Sequence, residues 1–423
     1  MINKVKALIS RINKSKDGKT VASNFGYLML LQVASYIFPL LTIPYLARVI
    51  GVEGFGKIAF AAAVIVWLKT ISDWGFNYTA TRDVALNKND LNKVSEIFSN
   101  VLWARIILML LSLLLLLIAI AFIPYFEENK IILLVSFLLV PGNIFFPEWF
   151  FQAMERMKFI TILSLASKIV FTLLVFVFIK EKSDFILQPL FISLGFIVSG
   201  LFATYIIVGK WKVKIHKPNI REISKTIKDS TDVFINNIMP NLYNSFSIVL
   251  LGFYGGSVAN GLLDAGSKFI NISQQFLTII SRVFFPLLSR KIDSHNLYAK
   301  INIYLSILAC VSLFILASFI IKFFYTEEFI DAVVILRIMS VSIIFSALIS
   351  TFGTNFMIVK GYEKKLRNIT VVCSLIGFVS AFPLVILYGY IGAAITITST
   401  RAILGLSILY EARKIKKQEQ LIY

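Results

Sequence analysis

Residues 97–123 read IFSNVLWARIILMLLSLLLLLIAIAFI, a run whose single charged side chain is Arg105. An α-helix needs roughly 20 apolar residues to cross a bilayer core about 30 Å thick. This stretch is long enough, and too uniformly apolar to be one face of a soluble amphipathic helix. Working outward, comparable stretches occur at 24–46, 55–79, 131–152, 159–179 and 185–208, and then at 233–254, 259–286, 302–325, 332–359, 369–388 and 390–410. With 97–123 they make about twelve spans, so the expected fold is an all-α integral membrane protein. The 55–79 and 259–286 stretches are the least apolar, being interrupted by Lys69, Asp73, Asp264, Lys268 and Arg282.

Composition agrees. Of 423 residues, 58% are hydrophobic and only 15% charged, whereas a soluble domain carries about 25% charged residues. The net charge of +19 raises the question of nucleic acid, but the cations sit in short clusters between apolar runs, the pattern of membrane topology rather than of a phosphate-binding face. No nucleic-acid partner is expected. Lys and Arg number 29 in the termini and alternate connections and 6 in the remaining loops, which places both termini in the cytoplasm. The expected organisation is a cytoplasmic amphipathic N-terminus (1–22), a six-helix lobe (23–208), a basic cytoplasmic linker (209–231), a second six-helix lobe (232–411) and a cytoplasmic tail (412–423).

Cys310 and Cys373 lie in apolar runs, which excludes a disulfide framework or thiolate metal site. His216 and His295 fall in polar connections and read as solvated loop residues. No cofactor, metal or catalytic residue is expected.

Two halves of six spans share an orientation, as in transporters built from parallel repeats. Gly51-Val52-Glu53-Gly54-Phe55-Gly56 is echoed by Gly256-Ser257-Val258-Ala259-Asn260-Gly261, 205 residues on; Arg82 is echoed by Arg290 and Met154-Glu155-Arg156 by Tyr362-Glu363-Lys364, each 208 residues on. Two such lobes imply a cavity between them.

Seven cations fall inside the spans, Lys69, Arg105, Lys168, Lys268, Arg282, Arg337 and Arg401, against three acids, Asp73, Glu148 and Asp264. A charge at a helix centre costs about 2.5–3.5 kcal/mol on insertion scales, so such groups are expected to face water or a partner. Lys69 and Asp73, and likewise Asp264 and Lys268, are four residues apart and share a helix face. They read either as self-neutralising pairs that ease insertion or as part of a site. Arg105, Arg282 and Arg337 are placed where snorkelling toward an interface is the simpler account. Lys168 and Arg401 are nearer span centres. A cationic interior suits an anion, and arginine suits a diphosphate in particular. Trp67, Trp74, Phe76, Tyr78 and Trp149 are candidates for stacking on sugar rings.

Three motifs give the chain a resemblance. Thr42-Ile43-Pro44-Tyr45-Leu46-Ala47-Arg48-Val49-Ile50-Gly51 runs into Gly54-Phe55-Gly56 and Phe60; Asp73-Trp74-Gly75-Phe76-Asn77 is followed by Ala80-Thr81-Arg82; Pro147-Glu148-Trp149-Phe150-Phe151-Gln152 is followed by Glu155. With these, the first 170 residues or so resemble polysaccharide flippases of the multidrug/oligosaccharidyl-lipid/polysaccharide superfamily, in particular the Wzx-like O-antigen translocases. Ala153 departs from the pattern, where similar sequences often have glycine. The resemblance implies two six-helix lobes around a central cationic cavity, a bacterial inner-membrane location, and alternating-access movement of an undecaprenyl-diphosphate-linked glycan between leaflets. It also implies a substrate role for Arg48, a basic/acidic pair at Lys69 and Asp73, and membrane lipid, a glycan polymerase and a chain-length regulator as partners. The expected substrate-binding set is therefore Arg48, Lys69, Arg105, Lys168, Lys268, Arg282, Arg337 and Arg401, with Asp73, Glu148 and Asp264 as ion-coupling residues. A cation-coupled small-molecule antiporter of the same fold would want a cavity rich in acids, and a membrane glycan polymerase or ligase would want a large outer loop. Neither feature is present in the sequence.

Overall fold

The computed structural model describes residues 16–290 and 295–422. Among them every regular element is helical. The amphipathic segment expected over 1–22 lies, as far as residue 15, outside the described residues.

Nine helices among the described residues are long and apolar enough to cross a membrane, and the chain is a multi-pass membrane protein. The difference from twelve lies in three of them, Gly26–Leu86, Ile220–Ser281 and Glu363–Gln418, each of which runs through two expected spans. A straight helix of some 60 residues would be about 90 Å long, three times the apolar core. Each of the three is interrupted by a glycine with non-helical torsions: Gly51 (φ 65°, ψ −177°), Gly256 (φ 72°, ψ −173°) and Gly389 (φ 53°, ψ −130°). A Cβ on Gly392 would lie 1.8 Å from the carbonyl oxygen of Leu384. In an unbroken helix those residues would be about 12 Å apart along the axis, so the chain doubles back at Gly389.

By internal contacts the chain forms two compact units, Met1–Tyr45 with Leu68–Ile235, and Leu46–Trp67 with Asn236–Tyr423. This differs from a division into 23–208 and 232–411: residues 46–67 pack with the second unit, and the linker 209–231 packs with the first. The glycine repeat explains the first difference. A Cβ on Gly56 would meet the carbonyl oxygen of Ser257 at 1.6 Å, and one on Gly261 would meet that of Val52 at 2.1 Å. Positions 52 and 56 correspond to 257 and 261 at the repeat offset of 205, so the two contacts are reciprocal. Only a residue without a side chain allows backbones to approach so closely. Phe55 adds edge-on contacts to Tyr325 and Phe329, and the Val52 N–H donates to Glu328 Oε2 at 3.1 Å.

The second difference rests on the Leu91–Phe122 helix. Its start is capped by the Asp90 carboxylate, which accepts from the backbone N–H groups of Asn92 and Lys93. One stripe, including Phe98, Val101, Arg105, Leu108, Ser112 and Leu116, is buried, while Leu110, Leu111, Leu114 and Leu117 are exposed, as a lipid-facing helix requires. Near the start of the helix, Ser95 and Ser99 hydrogen-bond the backbone of Lys214 and His216, and the Trp103 indole donates to the His216 carbonyl. These bonds strap the basic linker to the first unit. The core beside it is aromatic, built from Phe76, Phe98, Phe146, Trp149, Phe150 and Phe151.

Candidate functional site

In the first unit four helical elements bring five charges together. The Lys16–Asp73 helix ends where Trp74 and Gly75 take positive φ (39° and 82°), leaving Asp73 in its last turn and Lys69 one turn earlier. Arg105, 4% exposed, reaches across from Leu91–Phe122 and ion-pairs with Asp73. Glu148 opens the short Glu148–Ala153 helix, half-buried and within electrostatic reach of Lys69, Asp73, Lys168 and Arg105. Lys168 comes from the middle of Met157–Phe178.

This geometry corrects two sequence readings. Asp73 takes Arg105, not Lys69, as its ion-pair partner, and Arg105 is buried rather than snorkelled. Spacing of four residues put Lys69 and Asp73 on one face, but a guanidinium arriving from a neighbouring helix gives the carboxylate a charge-assisted bond that a residue on its own helix does not match here. The Arg105 Nε remains buried without a hydrogen-bond partner. Lys69 and Lys168 share the remaining carboxylate, Glu148, at a distance.

The second unit is organised differently. Asp264 and Lys268 form the expected pair at 2.9 Å, both side chains partly exposed. Arg401 donates from Nη1 to the Ser342 hydroxyl at 3.2 Å and from Nη2 to the Asn244 side-chain carbonyl at 3.0 Å, with the Tyr243 hydroxyl as a further partner. All three partners are neutral, and no carboxylate bonds this guanidinium among the described residues. Arg337 lies over the Phe314 ring, 5.7 Å from its centroid, with its Nε buried and unbonded. Arg48 is exposed, in the part of the chain that packs with the second unit. The side chain of Arg282 lies outside the described residues.

The aromatic candidates divide. Phe76 and Trp149 are core residues, 0% and 2% exposed. Trp74 is stacked on Phe234 (3.9 Å between centroids, 3° between planes) and donates to Thr231. These three are occupied by packing; Tyr78 is exposed and Trp67 half-buried. His295 is also corrected: it is buried, with Nε2 3.0 Å from the Thr351 carbonyl oxygen and its ring against Phe352 and Phe356. Flanking polar sequence suggested a loop, but His295 begins a helix and faces inward. Sequence reasoning missed Asn244, Ser342 and Tyr243. The available signal was an asparagine within an apolar stretch, a residue that hydrocarbon disfavours without a partner.

Residues 21–292 match the family described as polysaccharide biosynthesis protein. The chain belongs to this family. The resemblance carried by the three motifs is thereby borne out. A candidate O-antigen transporter of Escherichia coli (strain K12) is 30% identical over 405 residues, covering 93% of this chain and 97% of the relative. One of Shigella dysenteriae is 26% identical over 403 residues, covering 91% and 98%. Among solved structures, the lipid II flippase MurJ in an inward closed conformation superposes with a TM-score of 0.73 at 17% identity, covering 91% of this chain and 87% of that one. The family member described here thus has a membrane-transporter fold, and these three proteins are named as transporters or a flippase, not as enzymes.

Proposed function

We propose that this protein is a flippase, which moves an undecaprenyl-diphosphate-linked oligosaccharide, an O-antigen or other surface-polysaccharide repeat unit, from the cytoplasmic to the periplasmic leaflet of a bacterial inner membrane by alternating access. Both termini are cytoplasmic in this reading, and a glycan polymerase with its chain-length regulator takes up the delivered unit. The observation that carries the reading is Arg401, a guanidinium within a membrane span whose hydrogen-bond partners among the described residues are all neutral. It has five N–H donors. Those not used on Ser342, Asn244 and Tyr243 are available to phosphate oxygens, and an incoming anion supplies the charge that the resting site lacks.

Lys69 and Lys168 provide the diphosphate contacts of the first unit, with Glu148 as the group they leave when the anion arrives. Arg48, Lys268, Arg282 and Arg337 contribute positive potential. Arg105 belongs to the set through Asp73, which it holds. Of the ion-coupling candidates, Glu148 is the best suited, because Asp73 and Asp264 already have direct ion-pair partners. A membrane potential adds about 2.3 kcal/mol per translocated charge per 100 mV. The oligosaccharide needs no covalent change, so positioning and differential binding of the two access states are sufficient.

Inverted membrane vesicles from a strain lacking the protein test this. Lipid-linked oligosaccharide should accumulate on their outward, cytoplasmic face, accessible to added glycosidase, and restoring the gene should clear it. Accumulation on the periplasmic face would place the defect at polymerisation or ligation and reject the flippase reading.

A further inference from the structure

The second unit carries a groove of about 990 Å³ that the transport site does not use. It lies between the start of the His295–Phe324 helix and the late part of the Glu363–Ile422 helix. Among the described residues its charged lining consists of Lys300, Arg413 and Lys416, with no acid, and its apolar wall includes Tyr304, Ile307 and Phe352. Arg413 and Lys416 are three residues apart and share a helix face. The Lys416 ammonium is held in place, 4.9 Å from the Phe356 ring centroid, 5.9 Å from that of Phe352 and 3.4 Å from His295 Nδ1.

The order of chemistry along the groove is that of a lipid. Lys300 is the last charge before an apolar run that continues through Tyr304 and Ile307 and is exposed onward at Val311 and Phe314, all on one side of the helix. The three cations therefore sit at the level where the hydrocarbon-facing surface begins, the depth of lipid phosphates. We propose that this groove is a binding site for an anionic diacyl phospholipid, with the phosphodiester between Lys300, Arg413 and Lys416 and one acyl chain along Tyr304, Ile307 and Phe352. The commitment to an anionic lipid rests on charge complementarity: a zwitterionic headgroup would bring its own cation into an all-cationic mouth.

Native mass spectrometry of the full chain, extracted from bilayers of equal phosphatidylglycerol and phosphatidylcholine, tests the site. Wild-type protein should retain phosphatidylglycerol in preference, and each removed cation should reduce that preference about fivefold. K300Q/R413Q should therefore lower the preference about 25-fold, leaving what Lys416 alone supports. K414Q, a neighbouring exposed cation outside the groove, should leave the preference intact. I307W, which obstructs the chain path, should lower retention of both lipids. Thermal unfolding midpoints matching the wild type verify that the exposed substitutions leave folding intact. Equal preference in wild type and K300Q/R413Q, an equal loss in K414Q, displacement of phosphatidylglycerol by equimolar undecaprenyl diphosphate, or a dimer that K300Q/R413Q dissociates with no lipid retained would each overturn the proposal.

Discussion

In the first unit, every intramembrane cation has a carboxylate partner or neighbour and one positive charge is left over: Asp73 and Arg105 are joined, and Lys69 and Lys168 share Glu148. In the second, Asp264 and Lys268 neutralise each other on one helix face, while Arg401 rests on Asn244, Ser342 and Tyr243, and Arg337 on an aromatic ring. Compensated charges serve the fold before they serve a ligand, since separating them leaves an ion in a poor solvent. An arginine bonded only to neutral groups stands to gain more from an anion. Under the proposed function, the cations suggested by the sequence therefore fall into a structural member, Arg105, a displaceable group, Lys69 and Lys168, and a proposed primary anion contact, Arg401.

The largest effect expected from this division is on stability. Arg105→Gln leaves Asp73 half-buried without its charged partner and should destabilise the protein by about 3–5 kcal/mol. The double variant Arg105→Gln/Asp73→Asn should recover most of that loss. Denaturation of the purified variants in detergent measures both, and a double variant no more stable than Arg105→Gln would break the structural assignment. Next comes transport. Arg401→Gln removes charge-assisted bonds to the anion worth about 1.5–3 kcal/mol each, so surface glycan in a strain dependent on this protein should fall by one to two orders of magnitude at normal protein level, with Arg401→Lys intermediate. Lys168→Gln should cost less, about tenfold, because Lys69 stays beside Glu148. If Lys168→Gln were the more damaging of the two, the ranking of the units would be reversed. The smallest effect is at Lys268. Its pair with Asp264 is partly exposed, a class worth about 0–1 kcal/mol, and Lys268→Gln should alter both stability and export only slightly.

The spans were legible in the sequence because hydrocarbon leaves the backbone almost no alternative to helix, so an apolar run such as 97–123 reads directly as structure. The glycine repeat was legible as a pattern but not as a contact. Gly51 and Gly256 mark chain breaks by their torsions, while the meeting of Gly56 with Ser257 depends on how helices 205 residues apart dock. Partners across helices were not legible for the same reason: Arg105 lies 32 residues from Asp73, and Arg401 lies 157 from Asn244. The motif residues turned out to be largely architectural. Trp149, Phe150 and Phe151 fill the core, and Asp73-Trp74-Gly75 ends a helix and packs on Phe234 and Val233. Lys168 and Arg401 stand outside every motif and were found only because a charge at a span centre is costly.

The most direct test of the account is translocation by the purified protein. Liposomes holding a fluorescent oligosaccharide on undecaprenyl diphosphate in both leaflets can be exposed to an impermeant quencher added outside, with wild-type protein, Arg401→Gln or no protein present. The account predicts loss of the protected fraction with wild type, and retention in Arg401→Gln at the level of protein-free vesicles. Equal loss with wild type and Arg401→Gln would contradict the role given to Arg401, and no loss with correctly folded wild type would contradict the proposed function.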